Sequence, residues 1–183
     1  MPRVLVMLAH GFEETEAVAV IDVLRRADVE VVTAGLEPGA VVSAHGIRLI
    51  PDVRLDQVSD QDFDAVVLPG GLEGTHRLAD SDLVSHVLDR AAAGDRIIAA
   101  ICAAPTVLES RGMLAGRRAT CHASMRSELR SAGFTDEPVV TDGKVVTSRG
   151  VGTALGFGLE LVTLLAGRSK AVEIAAAIHF DSR

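Results

Sequence analysis

Short apolar runs rich in β-branched residues alternate with longer segments of helical periodicity along the whole chain. This alternation is typical of repeated βαβ units, in which helices cover both faces of a parallel sheet. It constrains the fold strongly, because two parallel strands can be joined only through a long crossover segment. We therefore expect an α/β protein with a mostly parallel central sheet.

Hydrophobic periodicity also places the individual elements. The predicted strands are residues 3–8, 29–34, 64–68, 96–101, 117–121, 139–140 and 145–148. The predicted helices are residues 13–27, 81–93, 153–165 and 169–178, with a further helix that opens at 103–105 and runs to 110. Residues 41–50, interrupted by Gly46, are expected to form a hairpin or edge strands. Because the sequence contains no internal repeat or linker, we predict a single domain over residues 1–183.

The composition limits the classes of partner. Nearly half of the residues are apolar but only five are aromatic, all of them Phe, so the core must be aliphatic. A net charge of −7 argues against a dedicated nucleic-acid surface, which needs a basic stripe. The absence of Trp and Tyr also weakens any model of base stacking.

Targeting and redox signals indicate a cytoplasmic protein. No apolar run reaches the length that spans a bilayer, and polar residues follow the apolar residues 1–8 at once, unlike a signal peptide. The two cysteines, Cys102 and Cys121, are predicted to be free thiols, because a chain without an export signal works in a reducing compartment.

Cys102 is the first candidate for chemistry. It follows the most apolar predicted strand and precedes a helix, at the carboxyl end of the sheet, where open α/β folds bind ligands. Small neighbours permit a sharp turn of the nucleophile-elbow type, and the helix start is expected to lower the thiol pKa and to offer N–H groups to an oxyanion. The alternative is an inert structural cysteine, as most buried cysteines are.

Glu16, near the start of the first predicted helix, is the second candidate. Apolar residues follow it, so it can point inward while Glu13 and Glu14 face water. A partly desolvated carboxyl group there would have a raised pKa and could move protons to and from the thiol. The alternative is a solvated acid that interacts favourably with the helix dipole.

Three further positions complete the candidate site. His122 could act as a base for a thiol, although a lone histidine is more often structural. The Cys121–His122 pair lacks a third ligand at metal spacing, so we predict no metal.

Gly70 and Gly71 end a strand and let the backbone approach a ligand, where they could supply an oxyanion donor. The alternative is that they form a simple turn.

Four motifs, taken in order, resemble the ThiJ/PfpI superfamily, in the branch of the parkinsonism-associated deglycase and its bacterial YajL-like relatives. The motifs are Ala-His-Gly-Phe-Glu-Glu-Thr-Glu at 9–16, Leu-Pro-Gly-Gly at 68–71, Ala-Ala-Ile-Cys-Ala-Ala-Pro-Thr at 99–106 and Thr-Ser-Arg-Gly-Val-Gly-Thr at 147–153. The resemblance runs through essentially the whole chain. Two departures are Ala104, where some relatives have Gly, and His45, where the parkinsonism-associated relative has an Arg near its dimer contact.

The resemblance implies a flavodoxin-like three-layer sandwich, usually homodimeric, that needs neither metal nor glutathione. It implies that Cys102 is an oxidation-sensitive nucleophile, that Glu16 is its partner acid and that His122 lies nearby. The same resemblance places Gly71 and the backbone of Ala103 at the oxyanion-binding positions.

These residues are compatible with three functions. The first is a cofactor-independent enzyme that acts on small reactive carbonyls, converting methylglyoxal to lactate and removing early glycation adducts. The second is a non-enzymatic sensor of oxidative stress or a redox-regulated chaperone, in which Cys102 is oxidised. The third, a cysteine peptidase or amide hydrolase, requires close contact between Cys102 and His122.

Overall fold

The computed structural model describes residues 1–181, and a seven-stranded sheet forms the centre of this part of the chain. The strands in chain order are β1 (Arg3–Leu8), β2 (Glu30–Gly35), β3 (Val41–Val42), β4 (Arg48–Leu49), β5 (Val53–Arg54), β6 (Ala65–Leu68), β7 (Ile97–Ile101), β8 (Arg118–Ala119), β9 (Gly133–Phe134), β10 (Val139–Asp142) and β11 (Val145–Ser148). In the sheet they lie in the order β10-β11-β7-β6-β1-β2-β5, and only the β10–β11 pair is antiparallel.

Helices cover both faces of this sheet. They are α1 (Glu14–Arg26), α2 (Leu72–Ala79), α3 (Asp82–Ala93), α4 (Pro105–Ser110), α5 (Ala154–Ala166) and α6 (Arg168–Ala177). Alternate side chains of β1 enter two separate cores. Val4 and Val6 pack with α1, α5 and α6, whereas Leu5 and Met7 pack with α2, α3 and α4. The result is a three-layer α/β sandwich, which confirms the predicted fold class.

The predicted elements are present with small shifts of their ends, and three elements were missed. Residues 41–50 form the antiparallel hairpin of β3 and β4, as expected. Helix α2 and the two-residue strands β5 and β9 were not predicted. Helix α2 begins after Gly71, which has φ +89°, and it includes Gly74, which weakens any helical signal in the sequence. A β-carbon on Gly74 would lie 2.7 Å from the backbone nitrogen of Phe12, so packing requires this glycine.

The described residues contain no helix that is both long and apolar enough to cross a membrane.

Candidate active site

Cys102 occupies a sharp turn between β7 and α4. Its φ of +65° lies in the left-handed region, which residues other than glycine rarely adopt. Two long-range contacts hold this conformation: the Cys102 N–H donates to the carbonyl of Ser148 at 2.9 Å, and its carbonyl accepts from the N–H of His122 at 2.8 Å. A strained backbone that its surroundings hold in place is typical of functional sites.

Two backbone N–H groups converge on the Cys102 sulfur. They belong to Gly71 and Ala103, and both lower the pKa of the thiol by stabilising its anion. These are the positions at which the family resemblance places oxyanion donors. One donor comes from the turn after β6 and the other from the elbow itself, so the tertiary fold brings them together.

Glu16 lies on the first turn of α1 and is fully buried, which rules out the alternative of a solvated acid. Its Oε2 accepts a hydrogen bond from the Gly70 N–H at 2.9 Å, and its Oε1 has no hydrogen-bond partner. Burial is the main cause that raises the pKa of Glu16 to about 7. The nearby Cys102 thiol and the hydrogen bond from the Gly70 N–H oppose this rise, and the charge of Glu13 adds to it.

The expectation that Glu13 and Glu14 face water is wrong. The two residues are only 9% and 8% exposed. The reason is tertiary: the β3–β4 hairpin packs over the start of α1, where the Ala44 N–H donates to the carbonyl of Phe12 and His45 pairs with Glu14 at 3.0 Å.

The expectation of a lowered thiol pKa is also wrong, although the Ala103 N–H next to the helix start acts in the expected direction. Burial, together with the charge and close contact of Glu16, raises the pKa of Cys102 to about 12, and the two N–H groups offset only part of this rise. Helix α4 has only six residues, so its dipole is small. The contribution of Glu16 requires an ionised carboxyl group. Protonation of Glu16 therefore removes this charge contribution to the raised pKa of the thiol, whereas the contribution of burial remains.

His122 borders the same space as these two groups. A β-carbon built on Gly150 would lie 3.7 Å from Glu16 Oε1, 3.7 Å from His122 Cδ2 and 3.9 Å from Cys102 Sγ. The His122 side chain is exposed, and its Nδ1 contacts Ser124 Oγ at 2.8 Å. Within residues 1–181 no hydrogen bond joins the His122 ring to the Cys102 thiol, so the side-chain contact that a peptidase dyad requires is not formed.

Gly70 does not play its predicted part in binding an oxyanion. Its N–H is occupied by Glu16 Oε2, so it cannot also bind a substrate oxygen. Its role is to hold the carboxyl group, and it must be glycine: an added β-carbon would lie 2.5 Å from both Glu16 Oε2 and Cys102 Cβ. The sequence shows a glycine pair after a strand, but it does not show which of the two glycines faces the ligand.

The site opens into a cleft of about 510 Å³. The lining of this cleft combines the buried Glu16 carboxyl group and the half-buried Cys102 thiol with a basic and apolar rim. The rim includes His45, His122, Arg149 and Val151. Arg149 is engaged with Asp136 at 2.9 Å. Sequence reasoning did not place His45 or Arg149 at the rim, although Arg149 lies in the fourth motif and His45 was noted as a departure from the family pattern.

Cys121 lies outside this cleft. It is 1% exposed, packs in the core on the opposite face of the sheet from the core that Cys102 contacts, and is also a free thiol. Among the described residues, only Glu13, Glu14 and His45 bring three possible metal-ligating atoms within 4.8 Å of one another. Glu13 Oε2 caps α1 and Glu14 Oε1 pairs with His45, so we assign no metal to this cluster.

The fold and site define a class of protein: an α/β sandwich with a single cysteine at an elbow beside a buried acid. The DJ-1/PfpI family profile matches residues 2–164, and the chain belongs to this family. Protein dj-1beta of Drosophila melanogaster is 44% identical over 177 residues, with 95% of each chain covered. The glutathione-independent glyoxalase DJR-1.2 of Caenorhabditis elegans is 38% identical over 160 residues, covering 86% of this chain and 85% of its own.

A solved structure agrees with the family assignment. The crystal structure of Drosophila melanogaster DJ-1beta has a TM-score of 0.96, with 42% sequence identity and 99% of both chains covered. Family membership supports an enzyme-like activity, and the resemblance to the ThiJ/PfpI superfamily is confirmed.

A Gly70→Ala substitution tests the packing of the site. We expect at least a tenfold loss of any Cys102-dependent activity and a destabilisation of about 1–3 kcal/mol, because the new methyl group must displace the carboxyl or the elbow. The measurements are turnover and urea denaturation. Gly133→Ala is the matched control, since a β-carbon there would meet only the carbonyl oxygen of Arg117 at an ordinary 3.6 Å. Equal behaviour of the two variants would contradict the close packing at Gly70.

Proposed function

We propose that this protein is a cofactor-independent cysteine enzyme that converts 2-oxoaldehydes to 2-hydroxy acids, with methylglyoxal to lactate as the reference reaction. The observation that carries the proposal is the placement of the Cys102 thiol beside the fully buried carboxyl group of Glu16, whose pKa is raised to about 7. The name of the Caenorhabditis elegans relative supports the substrate class. A single domain over residues 1–183 would carry the activity.

In the first step the Cys102 sulfur adds to the aldehyde carbon. The Glu16 carboxylate accepts the thiol proton as the carbon–sulfur bond forms, because burial disfavours a free thiolate. The protonated Glu16 then delivers this proton to the former aldehyde oxygen, which yields a hemithioacetal. The N–H groups of Gly71 and Ala103 stabilise the developing negative charge on that oxygen, and one such donor typically contributes about 2.7–4 kcal/mol.

In the second step Glu16 moves a proton between two carbons. It removes the hydrogen of the hemithioacetal carbon as a proton to give an enediolate and returns this proton to the neighbouring carbon. The hydroxyl proton of the first carbon passes to the oxygen of the second, which leaves the thioester of lactate. The former aldehyde carbon is oxidised and the former ketone carbon is reduced, so no external electron acceptor is needed. Water then cleaves the thioester, with His122 assisting proton transfer, and the Cys102 thiol is restored.

A carboxyl pKa of about 7 suits this sequence of steps, because Glu16 must both accept and donate a proton near neutral pH. The same addition chemistry can open early adducts between 2-oxoaldehydes and the amino groups of proteins or nucleotides. We propose such deglycase action as a secondary activity of the site.

The decisive assay is lactate formation from methylglyoxal by protein that has been freed of metal with a chelator and of glutathione by dialysis. We expect many lactate molecules per protein chain, with no added cofactor. A yield that stops at one lactate or fewer per chain would overturn the enzymatic proposal.

One observation favours a second candidate, an oxidative-stress sensor or redox-regulated chaperone. Glu16 Oε1 is buried without a partner beside the cysteine, so a protonated Glu16 has a hydrogen bond to offer an oxygen on the sulfur. Two equivalents of peroxide convert the thiol to a sulfinic acid with release of water. Stoichiometric oxidation of Cys102 without catalytic lactate formation would identify this function.

We also propose that the protein is a cytoplasmic homodimer. The two free thiols support a reducing compartment. Four apolar side chains on elements around the cleft are between 40% and 55% exposed, an arrangement that a second copy of the chain would cover. They are Val18, Ile47, Val151 and Leu155.

Light scattering should therefore give twice the mass of one 19.2 kDa chain. We expect Val18→Asp to shift the protein toward monomer, because it places a charge in the proposed contact. Val172→Asp, at a 61% exposed position on α6, is the matched control and should leave the mass unchanged. A monomeric native protein, or the same mass for both variants, would contradict this interface.

A further inference from the structure

Three hydrogen bonds form a closed ring at the start of α1. The Glu13 N–H donates to the Gly70 carbonyl at 2.8 Å, the Gly70 N–H donates to Glu16 Oε2 at 2.9 Å, and the Glu16 N–H donates to Glu13 Oε2 at 2.7 Å. Each of the three residues is both donor and acceptor. The ring joins the helix start to the end of β6, and it fixes both the backbone and the carboxyl group of Glu16.

Glutamate is an unusual residue type at the capping position that Glu13 occupies. Ser, Thr, Asp and Asn are the preferred residues there, and a shorter side chain would make the same bond to the helix N–H. Glu13 instead brings a 9% exposed carboxylate to the same cleft that Glu16 and Cys102 line. Its negative charge raises the pKa of Glu16.

Other titratable groups also face Glu16 or its surroundings. The Cys102 thiol lies beside it from the elbow, and His122 approaches from the loop after β8. His45 and Arg149 stand on the rim of the cleft, where each is paired with an acid, Glu14 and Asp136 respectively. Glu13 is the nearby carboxylate whose charge acts on Glu16, and it is also hydrogen-bonded to the Glu16 backbone.

We propose that Glu13 is a positioning residue, which holds Glu16 against Cys102 through the hydrogen-bonded ring and favours the protonated form of the Glu16 carboxyl group by like-charge repulsion. The consequence for catalysis rests on the proposed function, whereas the effect on the proton does not. Glu13 itself touches neither the sulfur nor, in the proposed steps, the substrate.

The test compares Glu13→Gln with Glu13→Ala. Gln keeps an oxygen that can cap the helix but removes the charge, so the ring can persist while the Glu16 proton is lost at lower pH. Ala removes both. The direct readout is the infrared carbonyl band of a protonated carboxylic acid, assigned to Glu16 by its absence in Glu16→Gln, and followed as the pH is raised. This readout does not depend on glyoxalase activity.

We expect the band of Glu13→Gln to disappear about half a pH unit or more below that of native protein, in the range that one nearby charge produces. The pH profile of lactate formation should shift in the same direction, and Glu13→Ala should also lower the maximal rate severalfold. Glu14→Gln is the matched control and should leave the infrared titration unchanged.

An infrared titration that is identical in native protein and Glu13→Gln would overturn the inference and leave Glu13 as a helix cap only. The proposed function can fail while this inference stands. That outcome would be native protein that forms no lactate, together with a Glu16 band that still shifts in Glu13→Gln.

Discussion

Replacement of Cys102 by serine should reduce lactate formation from methylglyoxal by on the order of 10³-fold or more, because the reaction proceeds through a bond to sulfur. A serine hydroxyl is of similar size and can adopt the same elbow, which the contacts to Ser148 and His122 hold in place. The pKa of the serine hydroxyl is far too high for the Glu16 carboxylate to remove its proton. The measurements are lactate production under substrate saturation and circular dichroism to confirm the fold.

Cys121→Ala provides the control for this experiment. Cys121 is a thiol of the same chain that lies in the core and outside the cleft, and burial raises its pKa to about 11. We expect this variant to retain turnover and to lose some stability, as a cavity-forming substitution does. Turnover that survives in Cys102→Ser, or that disappears equally in both variants, would refute a nucleophilic role for Cys102.

The second large effect is expected for Glu16→Gln, which should lower turnover by about 10²–10⁴-fold. Glutamine can still accept the hydrogen bond from the Gly70 N–H, so the site stays assembled. It cannot accept the thiol proton or move a proton between carbons. In native protein the rate should rise with pH through about 7 as Glu16 ionises, and the residual rate of the variant should lack this dependence.

The same variant should change how stability depends on pH. The pKa of Glu16 is about 7 in the folded protein and 4.5 in the reference state, so the folded state binds this proton more tightly. Its contribution to stability is therefore fully present below pH 4.5 and is lost as the pH rises through 7. The difference amounts to about 3 kcal/mol. Between pH 5 and 8, urea denaturation of Glu16→Gln should lack this loss.

Glu14→Gln serves as the matched control for both measurements. Glu14 is a buried acid of the same helix turn, but it pairs with His45 and does not contact the elbow. The turnover of Glu14→Gln, and the pH at which this turnover rises, should match those of native protein. If Glu16→Gln kept native turnover, Glu16 would not be the proton carrier, and the proposed mechanism would fail.

The sequence by itself was sufficient to predict the architecture and to single out Cys102 and Glu16 as candidates. The alternation of β-branched strands with helical periods follows from local side-chain chemistry, and it placed β1, α1, β7 and α5 nearly at their observed bounds. The position of Cys102 after the most apolar strand likewise follows from the chain alone, because the carboxyl ends of parallel strands meet at one edge of the sheet.

Only the tertiary structure decided the pKa values of Glu16 and Cys102 and the different roles of Gly70 and Gly71. Whether Glu16 is solvated, and whether the Cys102 pKa falls or rises, depends on burial and on charges that lie far apart in sequence. Gly70 is separated from Glu16 by 54 positions, yet its N–H holds that carboxyl group and leaves the Gly71 N–H to face the sulfur. Local periodicity determines which residues form strands and helices, whereas desolvation and hydrogen bonding act through space, and only the packed chain defines them.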